Sequence, residues 1–112
     1  MRKSKYGNKK VEAFGLKFDS KGEYHRYLFL KAAQDDGLIH ELKTQVPFKI
    51  VINDTLICKY IADFTYLKNE TGLLVVEDFK GVETAIFKLK KKLMLASNGV
   101  DLYITKSPSA DI

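Results

Sequence analysis

Cysteine is nearly absent from this 112-residue chain: Cys58 stands alone. One thiol cannot form an internal disulfide, and its isolation excludes a cysteine-rich zinc site, so Cys58 is expected to be buried and inert. His25 and His40 are isolated too, with no paired ligand spacing between them. Apolar runs are only a few residues long, far short of the roughly 20 that span a bilayer. No apolar stretch follows the basic start from Met1 to Lys10, so no signal peptide is visible and a cytoplasmic location is expected. A glycine-rich phosphate loop is missing as well, which leaves nucleotide hydrolysis without support. Only two prolines occur, and neither an internal repeat nor a low-complexity linker divides the chain.

What is present fits one compact domain. Hydrophobic residues make up 46%, enough for a core at this length. The net charge is +5 and the isoelectric point about 9.2, a balance that favours polyanions such as nucleic acid. The charge is clustered. Arg2, Lys3, Lys5, Lys9 and Lys10 share the first ten residues with no acid among them, and Lys88, Lys90, Lys91 and Lys92 gather near position 90. Each run suits DNA phosphates and equally suits a solvated tail or helix face. Residues 1–10 read as a basic flexible arm, 11–107 as the domain and 108–112 as a loose tail.

Along the domain, a short extended stretch from Val11 to Phe18 turns at Gly15. Ser20 and Glu23 have capping-box spacing and open a helix to about Asp36, which Gly37 stops. Glu41 to Ile52 is extended, and Pro47 makes it an edge or bent strand. Asn53-Asp54 marks a hairpin turn, Leu56 to Leu67 a second strand and Leu73 to Lys80 a third. A second helix over about Thr84 to Ala96 places Ala85, Ile86, Leu89, Leu93 and Ala96 on one apolar stripe, with Lys88, Lys91 and Lys92 pointing away and Phe87 on the exposed side. Asn98-Gly99 ends it, and Asp101 to Thr105 forms a last strand. The expected fold class is α/β, a mixed sheet flanked by two helices in the order αβββαβ.

The chemistry concentrates in two apolar strands that carry unexpected charge. In Leu74-Val75-Val76-Glu77-Asp78-Phe79-Lys80, alternation puts Asp78 and Lys80 on one face. An acid at the end of an apolar strand is costly if buried alone, and a metal ion removes that cost. Lys80 can then orient or deprotonate water and stabilise charge beside a phosphate. Gly81 leaves room for a backbone to approach. In Tyr60-Ile61-Ala62-Asp63-Phe64, Asp63 is the natural second ligand, because a hairpin through residues 68–72 sets it opposite position 77 or 78. Two carboxylates with phosphate oxygens and waters suit Mg²⁺, with Mn²⁺ expected to substitute, and the Phe79 carbonyl is a further candidate ligand. Glu23 could complete the site from the first helix, or could serve only as its cap. Tyr6 and Phe87 are aromatic candidates for DNA contact, equally at home as partial core or surface.

Three segments carry a resemblance: Phe18-Asp19-Ser20-Lys21-Gly22-Glu23 with Arg26-Tyr27; Tyr60-Ile61-Ala62-Asp63-Phe64; and Val75-Val76-Glu77-Asp78-Phe79-Lys80-Gly81. Together they resemble the PD-(D/E)XK nuclease superfamily and, within it, a group of small phage and prophage proteins similar to Holliday-junction resolvases. The resemblance runs from about residue 11 to residue 106. It implies a restriction-endonuclease-like core, a metal site from Glu23, Asp63 and Asp78, and Lys80 as catalytic lysine. Thr84 and Lys90 fall near the phosphate in this scheme. Ala62 stands where the superfamily's name has proline.

The expected activity is metal-dependent hydrolysis of DNA, with branched DNA as substrate and a homodimer to cut two symmetric strands. A nicking or restriction-like nuclease acting on linear duplex is the alternative within the same chemistry. A DNA-binding module with a disused nuclease site, or a basic structural protein, would be the alternatives outside it.

Overall fold

A computed structural model of the chain describes residues 10–112. Lys3, Lys5, Lys9 and Tyr6 of the expected arm lie outside the described residues, and Lys10 is exposed. The described part opens with a small hairpin of β1 (Val11–Ala13) and β2 (Leu16–Phe18). It turns through Phe14 and Gly15, both at positive φ. Helix α1 (Lys21–Asp35) follows, capped as expected: Ser20 Oγ accepts the Glu23 backbone N–H at 3.1 Å. Gly37, at φ +80°, lets the chain leave the helix.

Three strands come next: β3 (Ile39–Ile52), β4 (Thr55–Lys68) and β5 (Leu74–Phe79). Asn53 and Asp54 join the first two with φ of 49° and 64°, the left-handed pair that a two-residue hairpin turn needs. Helix α2 (Ala85–Asn98) carries the chain to β6 (Tyr103–Thr105). The sheet order is β3-β4-β5-β6, antiparallel except for the parallel β5–β6 pair. The fold is therefore α/β with a mixed central sheet and two helices. Pro47 lies on the edge strand β3, where it costs no ladder bond. Ser97 and Asn98 at the end of α2 cover part of that edge by bonding to Val51 and Lys49.

The helices cover opposite faces. Tyr27, Leu30 and Ala33 of α1 pack with Phe18, Ile39, Phe64 and Tyr66, and Val75 and Phe79 of β5 join them. Phe87 and Met94 of α2 pack with Ile50, Tyr60, Ala62 and Leu102, and here β5 contributes Val76. Period-2 alternation along β5 thus splits the core into two halves. No helix among the described residues is long and apolar enough to cross a membrane.

Four expectations need correction. The apolar stripe assigned to α2 is not its packed face, since Ile86 and Leu89 are 69% and 58% exposed and Ala85 and Ala96 are exposed as well. Phe87, expected outside, is buried together with Met94. Phe87 and Met94, two turns apart, pack against the sheet with half-buried Leu93, the one member of the expected stripe that joins them, and the half-buried stems of Lys90 and Lys91 flank them. The tail at 108–112 is not loose: Arg26 donates to the carbonyls of Pro108, Ala110 and Asp111, and Ile112 packs against the α1 core. Cys58, expected buried, is half-buried.

Candidate active site

Regular pairing of β4 with β5 ends at Phe64↔Glu77. One step further, Asp63 and Asp78 face each other, and their side chains take over from the ladder. The Asp63 backbone N–H donates to Asp78 Oδ1 at 3.3 Å, and the Phe79 N–H donates to Asp63 Oδ2 at 2.9 Å. Each carboxylate is therefore held by the backbone of the opposite strand. Asp63 sits between Ala62, which belongs to the α2 core, and Phe64, which belongs to the α1 core, so it lies at the seam between the two.

Glu23 reaches the same place from the first turn of α1. It is 3% exposed and close enough to Asp63 for the two charges to oppose each other. The cap and the site are separate roles here: the cap uses the backbone N–H of Glu23, while its carboxylate is turned inward. Lys80, 32% exposed, completes the group with Nζ 3.8 Å from Asp78 Oδ1, and the same ammonium lies 4.9 Å from the centre of the Phe87 ring, within cation–π range.

The electrostatics of the group are unbalanced. Burial, then the charges of Asp63 and Asp19, push Glu23 up from 4.5 to about 8. Burial also raises Asp78 from 3.8 to about 6, partly offset by Lys80 and by the Asp63 N–H. Asp63 is raised by its burial as well, against the Phe79 N–H and Lys80. Glu23 Oε2 and Asp78 Oδ2 are buried with no hydrogen-bond partner. Among the described residues, no three acidic, histidine or cysteine side chains stand together closely enough to hold a metal ion as they are placed. The donor set nonetheless fits a hard divalent cation in its chemistry: all-oxygen, anionic, with two unpartnered buried oxygens.

The remaining expected residues are dispersed. Thr84 is the N-cap of α2, its Oγ1 accepting the Phe87 N–H at 3.1 Å. Lys88 is exposed, and Lys90 and Lys91 are half-buried along the same helix. Gly81 has open space around it, as expected.

Sequence reasoning missed a second buried cluster directly behind the acids. Arg26 and Glu77 are both fully buried and form a two-pronged ion pair, Nε–Oε2 at 2.7 Å and Nη2–Oε1 at 2.9 Å. Tyr66 Oη donates to Glu77 Oε1 at 2.7 Å and Thr105 Oγ1 to Oε2 at 3.0 Å. Burial pushes the Tyr66 hydroxyl up, and the neighbouring Glu77 charge adds to this, so it stays a donor. Arg26 is one helical turn beyond Glu23, and Glu77 precedes Asp78, so this pair fixes α1 against β5 where the site is assembled. Gly22 was missed too. A Cβ there would meet Phe79 Cε1 at 2.6 Å, so only glycine lets the start of α1 close over the residue whose N–H holds Asp63. The run of charge in Glu77-Asp78 signalled something unusual, but not that its two acids serve opposite faces.

A family model described as Protein of unknown function (DUF1064) matches residues 3–109. The chain belongs to this family. The matched span takes in both core halves and every residue of the candidate site. No curated protein and no solved structure matches the chain. DUF1064 membership brings no activity with it, so a functional reading rests on the geometry of the site.

Proposed function

We propose that this protein is a Mg²⁺-dependent endodeoxyribonuclease of the PD-(D/E)XK type, acting as a homodimer on branched DNA. The observation that carries the reading is the pair of unpartnered buried oxygens, Glu23 Oε2 and Asp78 Oδ2, each on an acid that neighbours Asp63, with a partly exposed lysine beside Asp78. A burial cost of this kind is retained where a cation offsets it. The αβββαβ order that follows the first hairpin supports a restriction-endonuclease-like core.

Glu23, Asp63 and Asp78 would hold the cation, with the Phe79 carbonyl as a further ligand. The chemistry supplied by bound Mg²⁺ is activation of a water nucleophile and withdrawal of charge from the phosphate. The chain's own contribution is orientation. The Phe79 N–H fixes Asp63, the Asp63 N–H fixes Asp78, and the Phe87 ring supports Lys80 at the mouth of the site. Lys80 presents a positive charge where negative charge develops on the phosphate, and it can accept or deliver a proton at the attacking water. Thr84, Lys10, Lys88, Lys90 and Lys91 are proposed phosphate contacts, with Lys3, Lys5 and Lys9 of the N-terminal segment.

Incubating the protein with a four-way junction, a flap and a linear duplex, each with Mg²⁺, Mn²⁺ or EDTA, tests this. Metal-dependent cutting of the junction is expected. Cutting confined to the linear duplex would move the substrate class to that of a nicking or restriction-like enzyme. Binding without any cutting in either metal would overturn the nuclease reading in favour of a DNA-binding module.

A further inference from the structure

The β3–β4 hairpin contains an arrangement that weakens the fold. Its register is unbroken from Val46↔Ala62 to Ile50↔Cys58, so each position there has a fixed partner and a fixed face. Phe48, Ile50, Cys58 and Tyr60 pack inward with the α2 core. The opposite face is exposed, and on it Lys49 and Lys59 are direct cross-strand partners. Like charges set directly opposite each other destabilise an antiparallel pair. Neither lysine is in an ion pair among the described residues. From Lys43 to Ile61 the hairpin holds three lysines and a single acid, Asp54, placed at the turn.

The location of this pair gives it a use. Alternation along β4 puts Lys59 and Ile61 on one face, and Asp63 is the next position of that series, at the point where the inward side of the strand passes from the α2 core to the α1 core. The exposed face with the lysine pair therefore runs, by way of Ile61 (55% exposed) and its partner Pro47, into the acid site. Four residues of strand separate Lys59 from Asp63, about 14 Å at roughly 3.4 Å per residue. Measured along the axis of a duplex, that length spans about four phosphates of one strand.

We propose that the outer face of the β3–β4 hairpin is a binding track for the DNA backbone flanking the cleaved bond, with Lys49 and Lys59 as a phosphate subsite. The proposal rests on the nuclease reading above. It explains why two like charges face each other: a phosphate between them turns mutual repulsion into shared attraction. The polymer that occupies the track has anionic groups at both ends of it, one at the lysine pair and one at the cation held by the acids. A nucleic acid backbone meets that requirement.

The test compares the parent protein with Lys49→Ala/Lys59→Ala and with the single variant Lys59→Thr. Binding to a four-way junction and to a linear duplex is measured by gel shift in EDTA over a salt series, and cleavage is then measured in Mg²⁺. The double variant should bind about tenfold more weakly, and the slope of log affinity against log salt should fall by about 2, one for each lost phosphate contact. Its cleavage should be recovered at saturating DNA, a KM effect, because neither lysine touches the reacting atoms. Lys59→Thr should bind DNA more weakly while melting at the same temperature or higher, since the repulsive pair is gone. If the parent binds and cuts but the double variant keeps the parent's salt slope, the hairpin track is wrong and the nuclease reading stands. If Lys59→Thr melts lower and its binding falls in step, the lysine is structural and the track is again wrong. If the parent neither binds nor cuts any of these DNAs, the nuclease reading fails and the track fails with it.

Discussion

Glu23→Gln in metal-free protein tests whether the three acids form a site that requires a cation. Burial and the nearby Asp63 and Asp19 push this carboxyl from 4.5 to about 8. A carboxyl raised by folding favours the folded state in its protonated form. That contribution is fully present below about 4.5 and is lost as the pH rises through about 8. At roughly 1.4 kcal/mol per pH unit, the parent should lose about 3 kcal/mol between pH 4 and pH 7 from this group alone. Glutamine has the same shape and no charge to lose. Its melting temperature should match the parent's near pH 4 and exceed it near pH 7 by roughly 10 °C for a domain of this size. Circular dichroism melts in EDTA across this range make the measurement, and a second set in Mg²⁺ completes it. The cation should raise the parent's melting temperature most at the higher pH, and the glutamine variant's much less. Parallel curves for the two proteins in EDTA at every pH would refute the reasoning, because Glu23 would then carry no uncompensated charge.

Other variants probe the rest of the site. Lys80→Ala and Asp78→Asn should both abolish cleavage, yet in EDTA Asp78→Asn should bind DNA at least as tightly as the parent and Lys80→Ala equally or slightly less; near-normal cutting by either would remove that residue from catalysis. Arg26→Met leaves Glu77 buried without its partner and should lower stability by about 3–5 kcal/mol, whereas Arg26→Met/Glu77→Gln should cost less; equal denaturant midpoints for the single and double variants would contradict the pairing. Gly22→Ala should displace the Phe79 ring, lower stability by about 1–3 kcal/mol and weaken Mg²⁺ binding measured by calorimetry; unchanged Mg²⁺ affinity would separate Gly22 from the site.

Local rules made much of the fold legible. Ser20 as a cap, Gly37 and Gly99 as helix stops and Asn53-Asp54 as a hairpin turn each act through their own backbone conformation, and all are found where expected. The meeting of Asp63 with Asp78 was legible for a different reason: a hairpin of known turn position fixes a register, and register is arithmetic. The α2 face was not legible. Ile86, Leu89 and Leu93 have a good helical period, but period alone does not say which of two apolar stripes meets the sheet, and Phe87 with Met94 proved to be the one, joined by Leu93 alone of the expected three. The Arg26–Glu77 pair was also hidden. It joins residues 51 positions apart through a helix-on-sheet contact that no local pattern encodes. The tail followed from the same omission, since its carbonyls dock on the Arg26 guanidinium.

Adjacent residues of β5 show how buried charge marks the site. Glu77 and Asp78 are equally inaccessible, at 0% and 1% exposure, and alternation sends them to opposite faces. Glu77 meets a guanidinium, a phenol and a hydroxyl, so both of its oxygens are satisfied. Asp78 receives one backbone N–H and a lysine at 3.8 Å, and its Oδ2 has no partner. A fold able to neutralise one acid so thoroughly is under no general constraint against doing the same for its neighbour. The difference is therefore local to the end of the β4–β5 ladder, where Asp63 and Asp78 meet, and there each added protein donor would occupy an oxygen that a cation needs. The satisfied acid holds the helix in place, and the unsatisfied ones stay available for a ligand.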